Sequence, residues 1–410
     1  MKKLLLVLLI LSLFINHLNA NEKDLQIIQK DKKEYRLLDK ESIQTRQQSQ
    51  KYDWISPIDL SGNIGRNHSF SDENSRNLNN KNTKSASIGF TQSIFESGGI
   101  GFKMDYADNR FKYEMLSWEN QNSQLIYTIY NTLLDIKKLK LEINQNDYRI
   151  VNKDIELIIK KIQYEAGKTD IIELNNAIMS KNLILKEEIA LKNSLKEKEQ
   201  ELAKYTDLKY DEIEILDFQE TNKEIFLDKN YSILEADAKV EMLNSEYKIK
   251  KSQYLPKLSL SAKASYLNKD EKFNSMISDT NKDDASSSGS LILSMPLYDY
   301  TKSSKVQESK IEVLKQKALV NDLKNETAFE YEQIFTKIDT YLKQNETINK
   351  NIKLYEELIG ANQISSEAGM TSKYDLEILE NTKTINEFDI LINKINILQQ
   401  YAKLYFKIKN

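Results

Sequence analysis

The chain has 410 residues, 30% of them charged, with a formal net charge of −3, no cysteine and two histidines. That balance offers no basic field for nucleic acid, and the missing cysteines exclude disulfides, a cysteine-linked lipid anchor and thiol nucleophiles. Ten glycines and three prolines are few for this length, so long uninterrupted helices are expected.

The chain begins Met1-Lys2-Lys3, continues through an uncharged apolar block from Leu4 to Ile15 and reaches Leu18-Asn19-Ala20. This pattern predicts a secretory signal over 1–20, cut near Asn21. The block is shorter than the about 17–25 residues of a membrane helix, and no later uncharged run approaches that length. A mature chain that enters a bilayer must therefore do so with strands.

Residues 22–52, polar and free of proline and glycine, predict a helix. Pro57 sets an extended start, and alternating residues from Ile58 to Ile64 predict a strand over about 58–67. A polar loop, Asn67–Ser85, precedes a second strand over about 87–96, where Ile88, Phe90 and Ile94 alternate with Gly89, Thr91 and Ser93. Ile126, Ile129, Leu133, Ile136, Leu139 and Ile143 then recur at helical spacing, predicting one helix over about 103–165, roughly 90 Å at 1.5 Å per residue. Past Gly167 a further helix is expected over about 170–206. Tyr210–Leu227 reads as a linker or small mixed segment.

The plan then repeats: a helix at about 232–253, Pro256, strands at about 258–267 and 290–298 around the polar loop Asn268–Ser288, a long helix at about 303–366, Gly369, and a helix at about 372–408. Gly167 and Gly369 sit in matching turns 202 positions apart, and Pro57 and Pro256 precede matching strands. Two structural repeats, 21–214 and 215–410, follow. In the second, Ile334, Ile338, Tyr341, Asn345, Ile348, Ile352, Tyr355 and Ile359 form a heptad seam whose single asparagine is of the kind that fixes register. Phe388, Leu391, Ile395, Leu398, Ala402 and Tyr405 form its partner.

Each predicted strand has about ten residues, matching the 9–11 of a tilted membrane strand. Phe95, Tyr266, Tyr298 and Tyr300 lie near strand ends, where aromatic rings suit a membrane–water boundary. Short alternation also fits a soluble hairpin packed on a core. Four strands are too few to close a barrel, which takes about eight, so a membrane form must share its barrel between chains.

Little here suits catalysis. His68, the one histidine past the signal, is assigned to a polar loop and has no second ligand at metal-binding spacing. No cofactor is expected, and the chain does not read as an enzyme. Acidic residues cluster just past each turn: Asp170 and Glu173 in the first repeat, Asp375, Glu377 and Glu380 in the second. Helix capping and the helix dipole explain them one way; a lumen explains them another.

Signal, paired strands, very long helices and glycine turns followed by polar helix starts together resemble the TolC family of outer membrane efflux and secretion channels. The resemblance implies a mainly α protein with membrane β-structure. Its long coiled-coil helices would form a trimeric α-barrel through the periplasm, and four strands per chain would share a twelve-stranded β-barrel among outer membrane lipid. It implies as partners a periplasmic adaptor and an inner-membrane pump, the adaptor docking at Ala166-Gly167-Lys168 and Ala368-Gly369-Met370. It also implies an acidic periplasmic aperture. Asp375 matches the family's first acidic position, Ile378 occupies the second, and Glu377 and Glu380 flank it. Glu173 matches a polar contact of the closed state, with Lys373 as candidate partner. The rival reading is a soluble periplasmic coiled-coil adaptor or scaffold.

Overall fold

The computed structural model describes residues 25–69, 79–216, 218, 220–270, 282–367 and 372–409. The predicted signal and the turn Ala368-Gly369-Met370 lie outside the described residues. In chain order the elements are α1 (Lys30–Tyr52), β1 (Asp59–Ser69), β2 (Asn79–Phe95), α2 (Gly99–Glu165), α3 (Ile171–Leu202), α4 (Lys223–Asp228), α5 (Tyr231–Ser252), β3 (Lys257–Asp270), β4 (Lys282–Ser294), α6 (Lys302–Glu367) and α7 (Lys373–Tyr405). A single 3₁₀ turn, Leu25–Ile27, precedes α1.

The chain forms two compact units, and neither follows the sequence repeat. One comprises residues 41–115 and 235–320; the other comprises 1–40, 116–234 and 321–410. Each repeat thus gives its strands and the strand-side end of its long helix to the first unit, and the rest of its hairpin helices to the second.

In the first unit the four strands form one antiparallel sheet in the order β1-β2-β3-β4. The strands outrun their predicted bounds at the polar ends. β2 starts at Asn79 where alternation starts it at 87, and β4 starts at Lys282 rather than 290. Alternation of apolar residues is blind to stretches polar on both faces, but ladder bonds on both sides, Asn82 to Arg66 and to Asp270 for example, hold them in the sheet. His68 accordingly lies in β1 opposite Asn80, not in a loop. β4 ends at Ser294, short of the predicted 298, because Pro296 has no N–H for a ladder.

The second unit is helical. The middle of α2 supplies its core: Ile129, Leu133, Leu134 and Ile136 are fully buried. Arg36 on α1 is tied to this stretch, its Nε donating to Asn122 Oδ1 at 2.6 Å and its Nη2 to the Trp118 carbonyl at 2.9 Å, while Trp118 Nε1 donates back to the Arg36 carbonyl at 2.8 Å. α1 begins at Lys30 rather than 22 because the chain ahead of it is pinned elsewhere. Gln29 N donates to the Tyr205 carbonyl at 2.8 Å, and Lys30 N to Asp207 Oδ2 at 3.0 Å.

The segment read as a linker or small mixed segment is packed and carries the short helix α4. Phe218 stacks among Tyr130, Tyr405 and Phe406, and α4 drives Phe226 into a cluster with Ile334, Ile338, Leu404 and Ile408. One and a half turns of helix are too short to show a period. Residues 407–409 close this core: Tyr231 N donates to the Lys407 carbonyl at 2.9 Å, and Lys409 N to the Lys229 carbonyl at 2.8 Å. Glu330 clamps the same end, with Lys403 Nζ at 2.8 Å and Lys407 Nζ at 2.5 Å. Burial alone would raise the Glu330 pKa; the two ammonium groups outweigh it and hold the carboxyl below its ordinary value.

Away from this core the helices are barely covered. Leu202 is the one buried residue of α3, and α6 buries nothing described beyond Ile338. The predicted seam asparagine does bridge the second hairpin, Asn393 Nδ2 donating to Asn345 Oδ1 at 2.8 Å. Leu391, placed in the seam by its spacing, remains exposed, while Asn393 and Asn396 are buried.

Candidate functional site: a two-faced sheet and a hairpin tip

Register assigns every strand residue to one of two faces. Leu60 pairs with Ile88, which pairs with Ala264; Leu260 pairs with Leu291, and Leu258 with Leu293. A bulge between Ser93 and Phe95 turns Phe95 onto this same face, opposite Leu258. The face is apolar and bare: Leu60 is 79% exposed, Leu293 73% and Leu291 67%. Leaving such side chains in water forgoes about 1.5–3 kcal/mol each.

The other face is a field of hydroxyls. Ser61, Ser87, Ser265 and Ser286 make one row across all four strands, with Ser61 and Ser87 Oγ atoms 2.8 Å apart and Ser265 and Ser286 Oγ atoms 2.8 Å apart. Thr91 and Ser261 pair the same way at 3.1 Å. The sequence reading followed the apolar residues and missed this ladder, although Ser259, Ser261 and Ser265 on one face of β3 signalled it. β1 and β4 are the sheet's edges.

At the first hairpin, α2 ends by a hydrogen-bond pattern that explains its glycine. Gly167 N donates to the Tyr164 carbonyl at 2.9 Å and Lys168 N to the Gln163 carbonyl at 2.8 Å, with Gly167 at φ 66°. This is a Schellman end, which requires the left-handed conformation that glycine adopts freely. Asp170 caps α3, its side chain accepting from Glu173 N at 2.9 Å. The Glu173 carboxylate meets Lys160 on α2 at 2.9 Å. Ala166, Gly167 and Lys168 are all exposed at the tip.

Ser372 caps α7, accepting from Tyr374 N at 3.2 Å. Asp375, Glu377 and Glu380 follow, all exposed, as is Lys373. At about 100° per residue the acids divide between two sides of the helix. Glu377 and Glu380 share the open side with Glu387 and Leu391. Asp375 is in line with Thr382 and Asn393, the side that packs against the chain's own helices. Thr382 Oγ1 accepts from Asn152 of α2 at 3.3 Å, and Asn152 in turn accepts from Asn381 at 2.9 Å. Farther along, Gln145 bonds Asp389 at 2.7 Å. This polar seam between α2 and α7 was not visible in the sequence, because asparagines on a helix do not name their partners.

Among the described residues no helix is long and apolar enough to cross a membrane, and no group of three or more His, Cys, Asp or Glu could hold a metal ion. A four-stranded sheet with one apolar and one hydroxyl face, in a chain with very long hairpin helices, is a combination that solved outer membrane channels share. Solved structures have this fold. The chain resembles the CmeC outer membrane channel of Campylobacter jejuni (TM-score 0.70, 12% identity, 92% of this chain and 84% of that one). It also resembles VceC of Vibrio cholerae (0.69, 14%, 94% and 93%) and, in its open state, the MtrE channel of Neisseria gonorrhoeae (0.68, 12%, 94% and 87%). No curated protein sequence matches the chain significantly. Residues 224–403, in the second repeat, match the model of the outer membrane efflux protein family. The matched family model is that of an efflux protein, and the solved structures that share the fold are channels.

Proposed function

We propose that this efflux-type outer membrane channel is the exit duct of a tripartite pump or type I secretion system. Three copies assemble, each lending four strands to a twelve-stranded barrel with the leucine face toward lipid and the serine face toward the lumen. The helices continue the duct into the periplasm. A periplasmic adaptor docks at the turns 166–168 and 368–370 and joins the duct to an inner-membrane pump. The observation that carries this reading is the two-faced sheet with two open edges. Unpaired edges demand further strands, and the bare leucines demand an apolar solvent. Detergent-resistant trimers in the outer membrane fraction are expected; a soluble monomer would overturn the reading in favour of the adaptor or scaffold alternative.

The aperture is placed at the start of α7, where carboxylates in a threefold ring favour cations. Because Asp375 and the pair Glu377 and Glu380 occupy different sides of the helix, substitutions separate them. If Asp375 lines the constriction, Asp375→Ala lowers cation selectivity of the reconstituted channel while the double substitution Glu377→Gln, Glu380→Gln leaves it unchanged. The reverse result assigns the constriction to the glutamates, and no effect from either removes this helix start from the aperture.

A further inference from the structure

On the serine face one mid-strand side chain breaks the pattern. Lys263 of β3 pairs with Gly89 of β2 and Ser288 of β4, and it is exposed. Its neighbours on that face are Ser87, Gly89 and Thr91 on β2 and Ser286, Ser288 and Ser290 on β4, none of them charged. The other charged residues of the face with described side chains are Lys257, Asp59 and Asp284. Asp59 is the nearest carboxylate along the row, on the far side of Gly89, about two strand spacings or roughly 10 Å away. Among the described residues Lys263 makes no ion pair. Lysine is a poor strand former, and nothing in the sheet repays its presence here.

The surroundings are shaped to leave it room. Lys263 and Asp59 stand on opposite banks of a groove of about 440 Å³ whose walls carry Ser61, Ser87, Thr91 and Ser261. Gly89 forms the floor between them, and no other residue fits there: a Cβ would sit 2.9 Å from the Ala262 carbonyl oxygen and 3.3 Å from Lys263 Cα. A cation thus projects over a hydroxyl-lined trough with, among the described residues, no protein anion paired to it.

Building on the assignment of this face to the lumen, we infer that Lys263 is a selectivity-determining residue of the duct wall, a contact point for carboxylate or phosphate groups on passing cargo. The ammonium supplies charge, and the flanking hydroxyls supply donors of the kind such groups accept from. Asp59 opposes it across the trough, so the two residues tune the wall in opposite directions. In a wide water-filled lumen the effect reaches only about a Debye length, roughly 30 Å at 0.01 M salt and 3 Å at 1 M.

The test is the reversal potential of the full chain reconstituted in planar bilayers under a potassium chloride gradient, at low salt and again near 1 M. Lys263→Ser matches the residue type of its neighbours and keeps the strand. It is expected to shift the anion-to-cation permeability ratio toward cations by about twofold or more at low salt, with the shift vanishing at high salt. Asp59→Ser is expected to shift the ratio the other way. Normal conductance with an unchanged ratio in Lys263→Ser at low salt would overturn the inference and leave the channel reading intact. Absence of conductance from the parent chain as well as the variants would overturn both.

Discussion

The two faces of the sheet are made by the same backbone and differ only in which residue occupies alternate positions. One face carries leucine and isoleucine with nothing over them; the other carries serine and threonine whose hydroxyls already bond to one another across the strands. A soluble sheet hides its apolar face against a core and turns its polar face to water. Here the apolar face is the bare one, and the contrast teaches that the sheet's solvent is not uniform.

The sharpest way to break this comparison uses neighbours in sequence. Leu291→Lys and Ser290→Lys place one charge at nearly one depth on opposite faces. A lysine facing lipid at mid-bilayer costs about 2–4 kcal/mol, whereas one facing water costs little. Folding into vesicles, followed by urea titration, should fail or weaken strongly for Leu291→Lys and stay near the parent for Ser290→Lys; equal losses would refute the face assignment.

A smaller difference comes from the glycines. Gly89→Ala drives a methyl against the Ala262 carbonyl at 2.9 Å, while at Gly62, on the apolar face, the nearest atom is 4.0 Å away. Overpacking of this kind costs about 1–3 kcal/mol, so the urea midpoint should fall for Gly89→Ala and hold for Gly62→Ala. Smallest of all is the serine ladder. Ser61→Ala with Ser87→Ala removes one cross-strand pair, worth about 0.2–1 kcal/mol, and a larger loss would mean that the hydroxyls hold the sheet together and do not merely coat it.

Outside the sheet, acid offers a milder probe. Glu330 has its pKa lowered in the folded chain, so its ion pairs stabilise fully above the ordinary glutamate pKa of about 4.3. That contribution fades as pH falls through the lower folded value. Stability measured across that acid window should fall for the parent and change less for Glu330→Gln.

Much of this molecule was legible in its sequence because its elements are long. Sixty residues without glycine or proline leave few alternatives to α2, and Gly167 could be read as the turn that ends it, although the left-handed cap itself shows only in the structure. What escaped was whatever lacks a period. The polar halves of β2 and β4 alternate nothing, so only ladder bonds from neighbours define them. α4 is too short to repeat. Glu173 could be placed at the tip by spacing, but its pairing with Lys160 depends on how two helices meet across a turn. The acids of α7 were counted correctly, yet their division between two sides emerges only when contacts fix which side of the helix is packed.

The bonds between residues 229–231 and 407–409 carry a consequence for how the protein is made. A ribosome delivers the chain from its N-terminus, and the core around Phe226 lacks Leu404 and Ile408 until both have been synthesised. The sheet and the first hairpin are made before that core can close, so the helical unit gains its full packing only after residues 404–408 emerge.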